Sequence, residues 1–383
     1  MNLQDQLGNQ IKEALWEDMG RNDKTIENLN KNIIKQAGKK RIAVIFGGCS
    51  PEYSVSLQSA ASVIKNINDA EYEMILIGIT RKGEWLLYPG GVDHILNDTW
   101  AKDNCVPVTI LPDGTMQSLL KYTDDESEKI HIDAAFPILH GKNGEDGTVQ
   151  GLLALAGIPV IGCGMLASAV CMDKDMAHRL VREGGIRTPR GFVFRKGKVQ
   201  DAFLRADELG YPLFVKPIGA GSSFGISKVL NAQMLPKAIE DAFRYDDRIM
   251  IEEGIKGFEV GCAIMGESTL MIGAVDEIEL LGGVFDYEEK YTLKTSQIHV
   301  PARISVEMSE KIKETAQKIY RILGCSVLAR VDMFLTSDGE ILFNEVNTIP
   351  GFTEHSRFPN MMKYAGISMK EIVNNAIRQV IAE

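Results

Sequence analysis

The residues best suited to chemistry lie in two short runs near the C-terminus. These are Arg330-Val331-Asp332-Met333-Phe334 and Phe343-Asn344-Glu345-Val346-Asn347-Thr348-Ile349-Pro350-Gly351. Both read as β-strands, adjacent in a sheet. Residues two apart on a strand share a face, so Glu345 and Asn347 converge on one point, and Asp332 joins them from the neighbouring strand. Two carboxylates and an amide are hard oxygen donors, a set suited to Mg2+ bound together with nucleotide phosphates. Arg330 lies two residues from Asp332 and projects into the same space. A metal cluster beside a permanent cation is what phosphoryl or acyl-phosphate chemistry requires.

Other runs carry weaker signals. Gly219-Ala220-Gly221-Ser222-Ser223-Phe224-Gly225 follows Lys216-Pro217. Glycines let backbone N–H groups approach phosphates closely, and Lys216 at the root of the loop suits a phosphate clamp; the alternative is a plain hairpin turn. The loop is neither a GxxxxGK[ST] phosphate loop nor a GxGxxG dinucleotide fingerprint. In His140-Gly141-Lys142-Asn143-Gly144-Glu145-Asp146-Gly147, His140 closes a strand and is placed for function, whereas Glu145 and Asp146 at a helix start are at least as well read as caps. Gly47-Gly48-Cys49-Ser50-Pro51-Glu52 is a strand-to-helix turn, where Glu52 can hold an ammonium group. Glu252 and Glu259 can meet adenine and ribose, or be solvated acids beside a turn. Phe285 to Tyr291 mixes aromatic and charged residues in a long loop, either a lid or an ordinary surface excursion.

The elements that must position these groups follow from periodicity. Ile42–Phe46, Met74–Ile79 and Ala134–Leu139 read as strands, with a helix near Ser56–Ile67 between the first two. That βαβ pattern predicts an open parallel sheet whose ligands gather at the carboxyl ends of its strands; residues 84–130 look less regular. Later strands are expected at Leu213–Pro217, Arg248–Glu252, Val260–Met265 and Leu270–Ala274, with helices near 173–183, 232–243, 305–323 and 369–381. Residues 1–40 are polar, with helical spacing of Leu3, Leu7, Ile11 and Leu15. At 383 residues the chain has room for two or three domains. A net charge of −10 argues against nucleic-acid binding. No run of 18 apolar residues predicts a membrane span, no signal peptide is evident, and six scattered cysteines fit a reduced cytoplasmic protein without a zinc site.

Taken together and in order, the GGxSxE turn, HGxxGEDG, Met172-Asp173-Lys174, the Gly-Ser-Ser loop, Glu289-Lys290-Tyr291, RVDMF and NEVNTIPGF resemble the D-alanine–D-alanine ligase family of ATP-grasp enzymes, from about Arg41 to the C-terminus. The resemblance implies an ATP-grasp architecture: a helical extension over 1–40, an α/β substrate-binding domain over 41–160, and two α+β domains over 161–253 and 254–383 that clamp ATP. It implies that ATP phosphorylates the carboxylate of a first D-alanine, and that the amine of a second D-amino acid attacks the acyl phosphate. Lys174, Lys216 and Ser223 resemble nucleotide ligands, and Lys290 the loop lysine that reaches the transferred phosphoryl group. Glu252 and Glu259 resemble the adenine-side and ribose contacts, though Glu253 departs from a lysine common beside the first. Asp332, Glu345 and Asn347 resemble the ligands of two Mg2+ ions, with Mn2+ an alternative. Glu52, Ser222 and Tyr291 resemble a hydrogen-bonded triad at the first substrate, with His140 nearby. Arg330 and the backbone N–H of Gly351 resemble an oxyanion hole, and Ser356 a contact for the second substrate's carboxylate. A homodimer is implied as well.

The run Glu289 to Ser296 is similar to the loop of the D-alanine–D-serine ligases of vancomycin resistance, and Arg357 stands where dipeptide ligases usually carry an apolar residue. This favours D-serine as second substrate, with Arg357, Phe285 and Asp276 shaping its pocket, and peptidoglycan precursors with altered termini as product. The alternatives are a housekeeping D-alanine–D-alanine ligase, an ATP-grasp ligase for another acid and amine, and an inactive nucleotide-binding regulator. Every motif lies beyond residue 40, so removal of residues 1–40 is expected to leave ligation intact. Lost activity in a folded, soluble truncation would contradict that.

Overall fold

The computed structural model describes residues 38–123, 127–197, 201–221, 224–280 and 296–381. Ser222, Ser223, Phe285, Lys290 and Tyr291, and residues 1–37 of the expected N-terminal extension, lie outside the described residues. Among the described residues the strands form three sheets, and no helix is long and apolar enough to cross a membrane.

The first sheet is built around β1 (Lys40–Gly47), whose last six residues are all buried. A strand covered on both faces must be apolar throughout. Ile42, Val44 and Phe46 face a core shared with the helix Tyr53–Asn66, while Ala43 and Ile45 face Val149 and Leu153 of the helix Thr148–Leu155. β1 pairs in parallel with β2 (Tyr72–Ile79) and β7 (Ala134–Ile138). The stretch expected to be irregular instead contains β3 (Trp85–Leu87), β4 (Val106–Ile110), β5 (Ser118–Tyr122) and β6 (Ser127–His131). These extend the sheet antiparallel beyond β2, in the order β6-β5-β4-β3-β2-β1-β7. Strands of three to five residues show too few alternations to be legible in sequence.

The second sheet holds β8 (Gly191–Arg195), β9 (Leu213–Pro217), β10 (Ser227–Val229) and β11 (Arg248–Glu253), all antiparallel. Alternation sends Leu213, Val215, Ile249 and Ile251 into a core under the helices Ala202–Leu209 and Leu235–Ala242. Phe214, Lys216, Met250 and Glu252 therefore occupy the opposite face.

The third sheet, ordered β14-β13-β12-β15-β16, holds β12 (Gly257–Gly266), β13 (Leu270–Leu280), β14 (Ser296–His299), β15 (Leu328–Thr336) and β16 (Ile341–Asn347). Its core face carries Val260, Cys262, Val275, Val331 and Met333 against the helix Val306–Ile322. A bulge decides what its other face carries. Asp332 pairs with Glu345, but Met333 pairs with Phe343, so Asn344 is the extra residue. Unbroken alternation would put Phe343, Glu345 and Asn347 on one face. The bulge lets Phe343 and Val346 both enter the core and re-aims Glu345 and Asn347 away from it. Finally, the helices Arg357–Tyr364 and Met369–Ile381 bury Phe358, Met361, Ile372 and Ala376 in one core with Phe136 and Ile138 of the first sheet and Ala263 and Met265 of the third.

Candidate active site

Between the second and third sheets lies a cleft of ≈ 560 Å3 with Phe214, Ile226, Phe258, Ile278 and Phe334 among its walls. Such walls fit a flat ring. Glu252 is 2 % exposed. Its Oε1 meets the Lys216 ammonium, while its buried Oε2 has no hydrogen-bond partner among the described residues. A buried acceptor left open is costly, and this oxygen can accept from an incoming N–H donor. Lys216 also reaches Asn344 Oδ1 at 3.4 Å. The two lysines expected at the nucleotide both line this cleft and differ in their partners. Lys216 sits with Glu252, whereas Lys174, first residue of the helix Lys174–Glu183, reaches the Ala220 carbonyl at 3.0 Å and Glu345 at 3.6 Å. Glu253, also on the cleft wall, accepts from Arg190.

Lys174 and Glu345 also line a second pocket, shared with Glu52, His140, Gly221, Arg330, Asn347, Gly351, Ser356 and Arg357. At its floor stands a buried charge cluster. Arg330 forks onto Asp332, with Nε at 2.9 Å and 3.1 Å from the two oxygens and Nη2 at 2.8 Å from Oδ2. Asn347 Nδ2 donates to the same Oδ2 at 2.9 Å. Arg357 forks onto Asp276 at 2.7 Å and 2.8 Å, donates to Glu259 at 2.6 Å, and approaches Asp332 at 3.3 Å. Asp276 is 0 % and Arg357 6 % exposed. Burial acts to lower the pKa of both arginines, but the facing carboxylates prevail and hold both above the ordinary arginine value. Gly261 makes room for this. A Cβ there would lie 2.7 Å from Asp276 Oδ1 and 2.9 Å from Asp332 Oδ1, and closer still to Arg357 Nη2. Glu259, expected at a ribose, is therefore already engaged on one oxygen.

The donor set fits a hard divalent cation in kind. Asp332 and Glu345 are cross-strand partners, and Arg330 stands opposite Asn347. Among the described residues no group of three or more His, Cys, Asp or Glu is placed to hold a metal, so the set is two carboxylates completed by the Asn347 amide. Its donation of Nδ2 to Asp332 assigns Asn347 Oδ1 to the outward side. Holding an ion would require Asp332 to exchange part of its contact with Arg330.

Across the pocket, Glu52 ends the turn after β1, buried at the start of the helix Tyr53–Asn66. Two glycines from different loops surround its carboxylate: a Cβ on Gly141 would come within 2.5 Å of Oε2, and one on Gly221 within 2.9 Å. Gly141 has φ +73°, a left-handed conformation that favours glycine. Glu145 stands nearby, and the reading of it as a helix cap is corrected. The helix starts at Thr148 after Gly147. Asp146 does serve the loop, accepting from Asn143 N and Thr148 N. Glu145 instead accepts from Gly141 N at 2.8 Å and from Ile349 N, across the pocket, at 3.3 Å. Burial first, and then the charge of Glu52, push its pKa up to about 8. His140 is buried, which pushes it down to about 4 and keeps it neutral. Gly351 faces Ser356: a Cβ would lie 2.6 Å from Ser356 Oγ. That hydroxyl accepts from Thr353 N at 3.1 Å and leaves the helix Arg357–Tyr364 uncapped by a side chain. Sequence reasoning takes Glu145 only as a cap and misses Ser59, which contacts His140 and Phe352 N, and Gly261, because these contacts are long-range and leave no local signature.

Two family models match the chain: D-ala D-ala ligase N-terminus over residues 41–163 and D-ala D-ala ligase C-terminus over residues 180–378. Among curated proteins, the vancomycin/teicoplanin A-type resistance protein VanA of Enterococcus faecium is 45% identical over 342 residues, covering 88% of this chain and 97% of the relative. A D-alanine–D-alanine ligase of Caldicellulosiruptor bescii is 43% identical over 349 residues, covering 90% and 95%. Among solved structures, the VanG D-Ala:D-Ser ligase from Enterococcus faecalis superposes with a TM-score of 0.84 at 53% identity, covering 90% of this chain and all of that one.

Gly261 offers a direct test of the charge cluster. Gly261→Ala is expected to force Arg357 off its carboxylates and destabilise the protein by about 3–5 kcal/mol, the cost of breaking a buried ion pair. Chemical denaturation measures this; a variant as stable as the parent would contradict the packing described.

Proposed function

The chain belongs to the D-alanine–D-alanine ligase family, and we propose that within it this protein joins D-alanine to D-serine. The observation that carries the choice of D-serine is Arg357. It directly follows Ser356 on the pocket wall and is held by buried Asp276 rather than solvated. A pocket that merely tolerates a hydroxyl discriminates weakly, whereas one built to hydrogen-bond it discriminates strongly. A fixed guanidinium supports the second kind. Phe285 belongs to the same proposal. The similarity to a D-Ala:D-Ser ligase supports it too, while similarity to D-alanine–D-alanine ligases keeps the housekeeping activity as the second reading.

In the proposed reaction ATP phosphorylates the first D-alanine's carboxylate, the second amino acid's amine attacks the acyl phosphate, and phosphate leaves. Glu52, in its glycine cradle, receives the first ammonium group, with Ser222 and Tyr291 completing the triad. The open Glu252 oxygen accepts from adenine and Glu259 from ribose. Lys174, at the junction of the two pockets, neutralises the phosphates with Lys216 and Lys290, and Ser223 hydrogen-bonds them. Asp332, Glu345 and Asn347 would hold Mg2+, two ions in this reading, which when bound offsets charge on the phosphoryl group. Arg330 and the Gly351 N–H face the tetrahedral oxyanion, and Ser356 with the start of its helix receives the second carboxylate. The product would be a peptidoglycan precursor terminus of the kind that confers vancomycin resistance.

Phosphate release with D-alanine plus each candidate second substrate tests the reading. Wild type is expected to favour D-serine in kcat/KM, and Arg357→Lys, which keeps the charge but not the fork, to shift toward D-alanine. A wild type that prefers D-alanine would return the protein to the dipeptide ligases. Glu345→Gln is expected to abolish turnover with the fold intact, and near-normal turnover would remove the metal assignment.

A further inference from the structure

We propose that His140, Ser59 and Glu145 form a clamp that fixes the turn Ile349–Phe352 and so positions the Gly351 N–H against Arg330. The proposal rests on the oxyanion reading of Gly351 and Arg330 given above. It makes His140 a positioning residue rather than a substrate contact.

The hydrogen bonds carry their own directions. His140 Nδ1 lies 3.0 Å from the Ile349 carbonyl, which can only accept, so Nδ1 bears the hydrogen. Nε2 is then the acceptor, 3.1 Å from Ser59 Oγ, whose hydroxyl donates. Ser59 Oγ in turn accepts the Phe352 N–H at 3.3 Å. Glu145 Oε1 accepts the Ile349 N–H at 3.3 Å, and its other oxygen ties back to Gly141 N at 2.8 Å. Ile349 is thus held at both backbone polar groups, and Phe352 at its N–H. Pro350 has no N–H. The remaining N–H of the turn is that of Gly351, which lines the pocket with Arg330.

The clamp spans the molecule. Ser59 is on the helix Tyr53–Asn66, and His140 and Glu145 lie in the loop after β7, whereas the turn leaves β16 of the third sheet. The Phe352 ring packs edge-on against Phe136 of β7, centroids 6.1 Å apart, and closes the turn from below. Burial keeps His140 neutral, so the donor at Nδ1 and acceptor at Nε2 persist at physiological pH. With both ring nitrogens committed to protein atoms, His140 acts through the turn it holds.

The test uses the full chain with Ser59→Ala, His140→Leu, His140→Asn and Arg330→Met. Ligation kcat and KM are measured, and positional isotope exchange in ATP with D-alanine alone follows phosphoryl transfer separately. If the clamp positions an oxyanion donor, Ser59→Ala and His140→Leu lower kcat by about 10- to 100-fold, somewhat less than loss of such a donor itself. KM for ATP and D-alanine stays within about threefold, and the exchange rate is retained. His140→Asn, which keeps a donor near the Nδ1 position, recovers much of the loss. The double variant Ser59→Ala with His140→Leu falls no further than the worse single, as members of one unit do. An Arg330→Met enzyme with normal kcat overturns the oxyanion reading and the clamp with it. A low kcat in Arg330→Met beside normal kcat in Ser59→Ala and His140→Leu overturns the clamp alone. A rise in KM for D-alanine at constant kcat in His140→Leu makes His140 a substrate contact and overturns it, as does parallel loss of exchange and ligation.

Discussion

A guanidinium cannot be buried without acceptors for its donors and charge, and much of the site is the consequence of satisfying that demand at Arg357 with carboxylates. Desolvating a charge costs several kcal/mol unless well-aimed partners replace water. Here they come from three strands: Asp276 on β13, Glu259 on β12 and Asp332 on β15. The middle strand must then give way, and Gly261 does. Because Arg357 opens the helix that Ser356 immediately precedes, the same pairing fixes where the pocket wall stands. Arg330 belongs to this arrangement through Asp332, which it shares with Arg357. One charge network therefore ties the expected nucleotide contact, metal ligands, oxyanion donor and second-substrate wall into a single unit.

A second constraint acts on the neighbouring strand. Phe343 belongs to the core and Glu345 to the cleft, which strict alternation forbids. The bulge at Asn344 resolves the conflict and turns Asn344's own side chain toward Lys216. The two pockets meet at Glu345 and Lys174.

The sequence made some of this legible and hid the rest for physical reasons. Long periodic elements were readable: the helices expected near 173–183, 305–323 and 369–381 form at Lys174–Glu183, Val306–Ile322 and Met369–Ile381. The shared face of Glu345 and Asn347, opposite Asp332 and Arg330 on the neighbouring strand, follows from strand spacing, whereas the bulge at Asn344 that separates that face from Phe343 has no signal in the sequence. The helix Arg357–Tyr364 went unread because Pro359 and Asn360 interrupt its pattern. Arg357 and Asp276 were singled out from the resemblance. That they pair with each other depends on contacts 81 residues apart, which no local pattern encodes. Glu145 was misread as a cap for the same reason: its partner Ile349 is 204 residues away.

The measurement closest to the central claim is a double-mutant cycle on Arg357→Met and Asp276→Leu, read as unfolding free energy in denaturant. If the buried pair organises the site, each single replacement leaves an uncompensated buried charge and costs about 3–5 kcal/mol. The double replacement then costs far less than the two singles added, with an interaction energy of about 2 kcal/mol or more. Costs that add to within about 0.5 kcal/mol would mean the two groups are energetically independent, and would contradict the account.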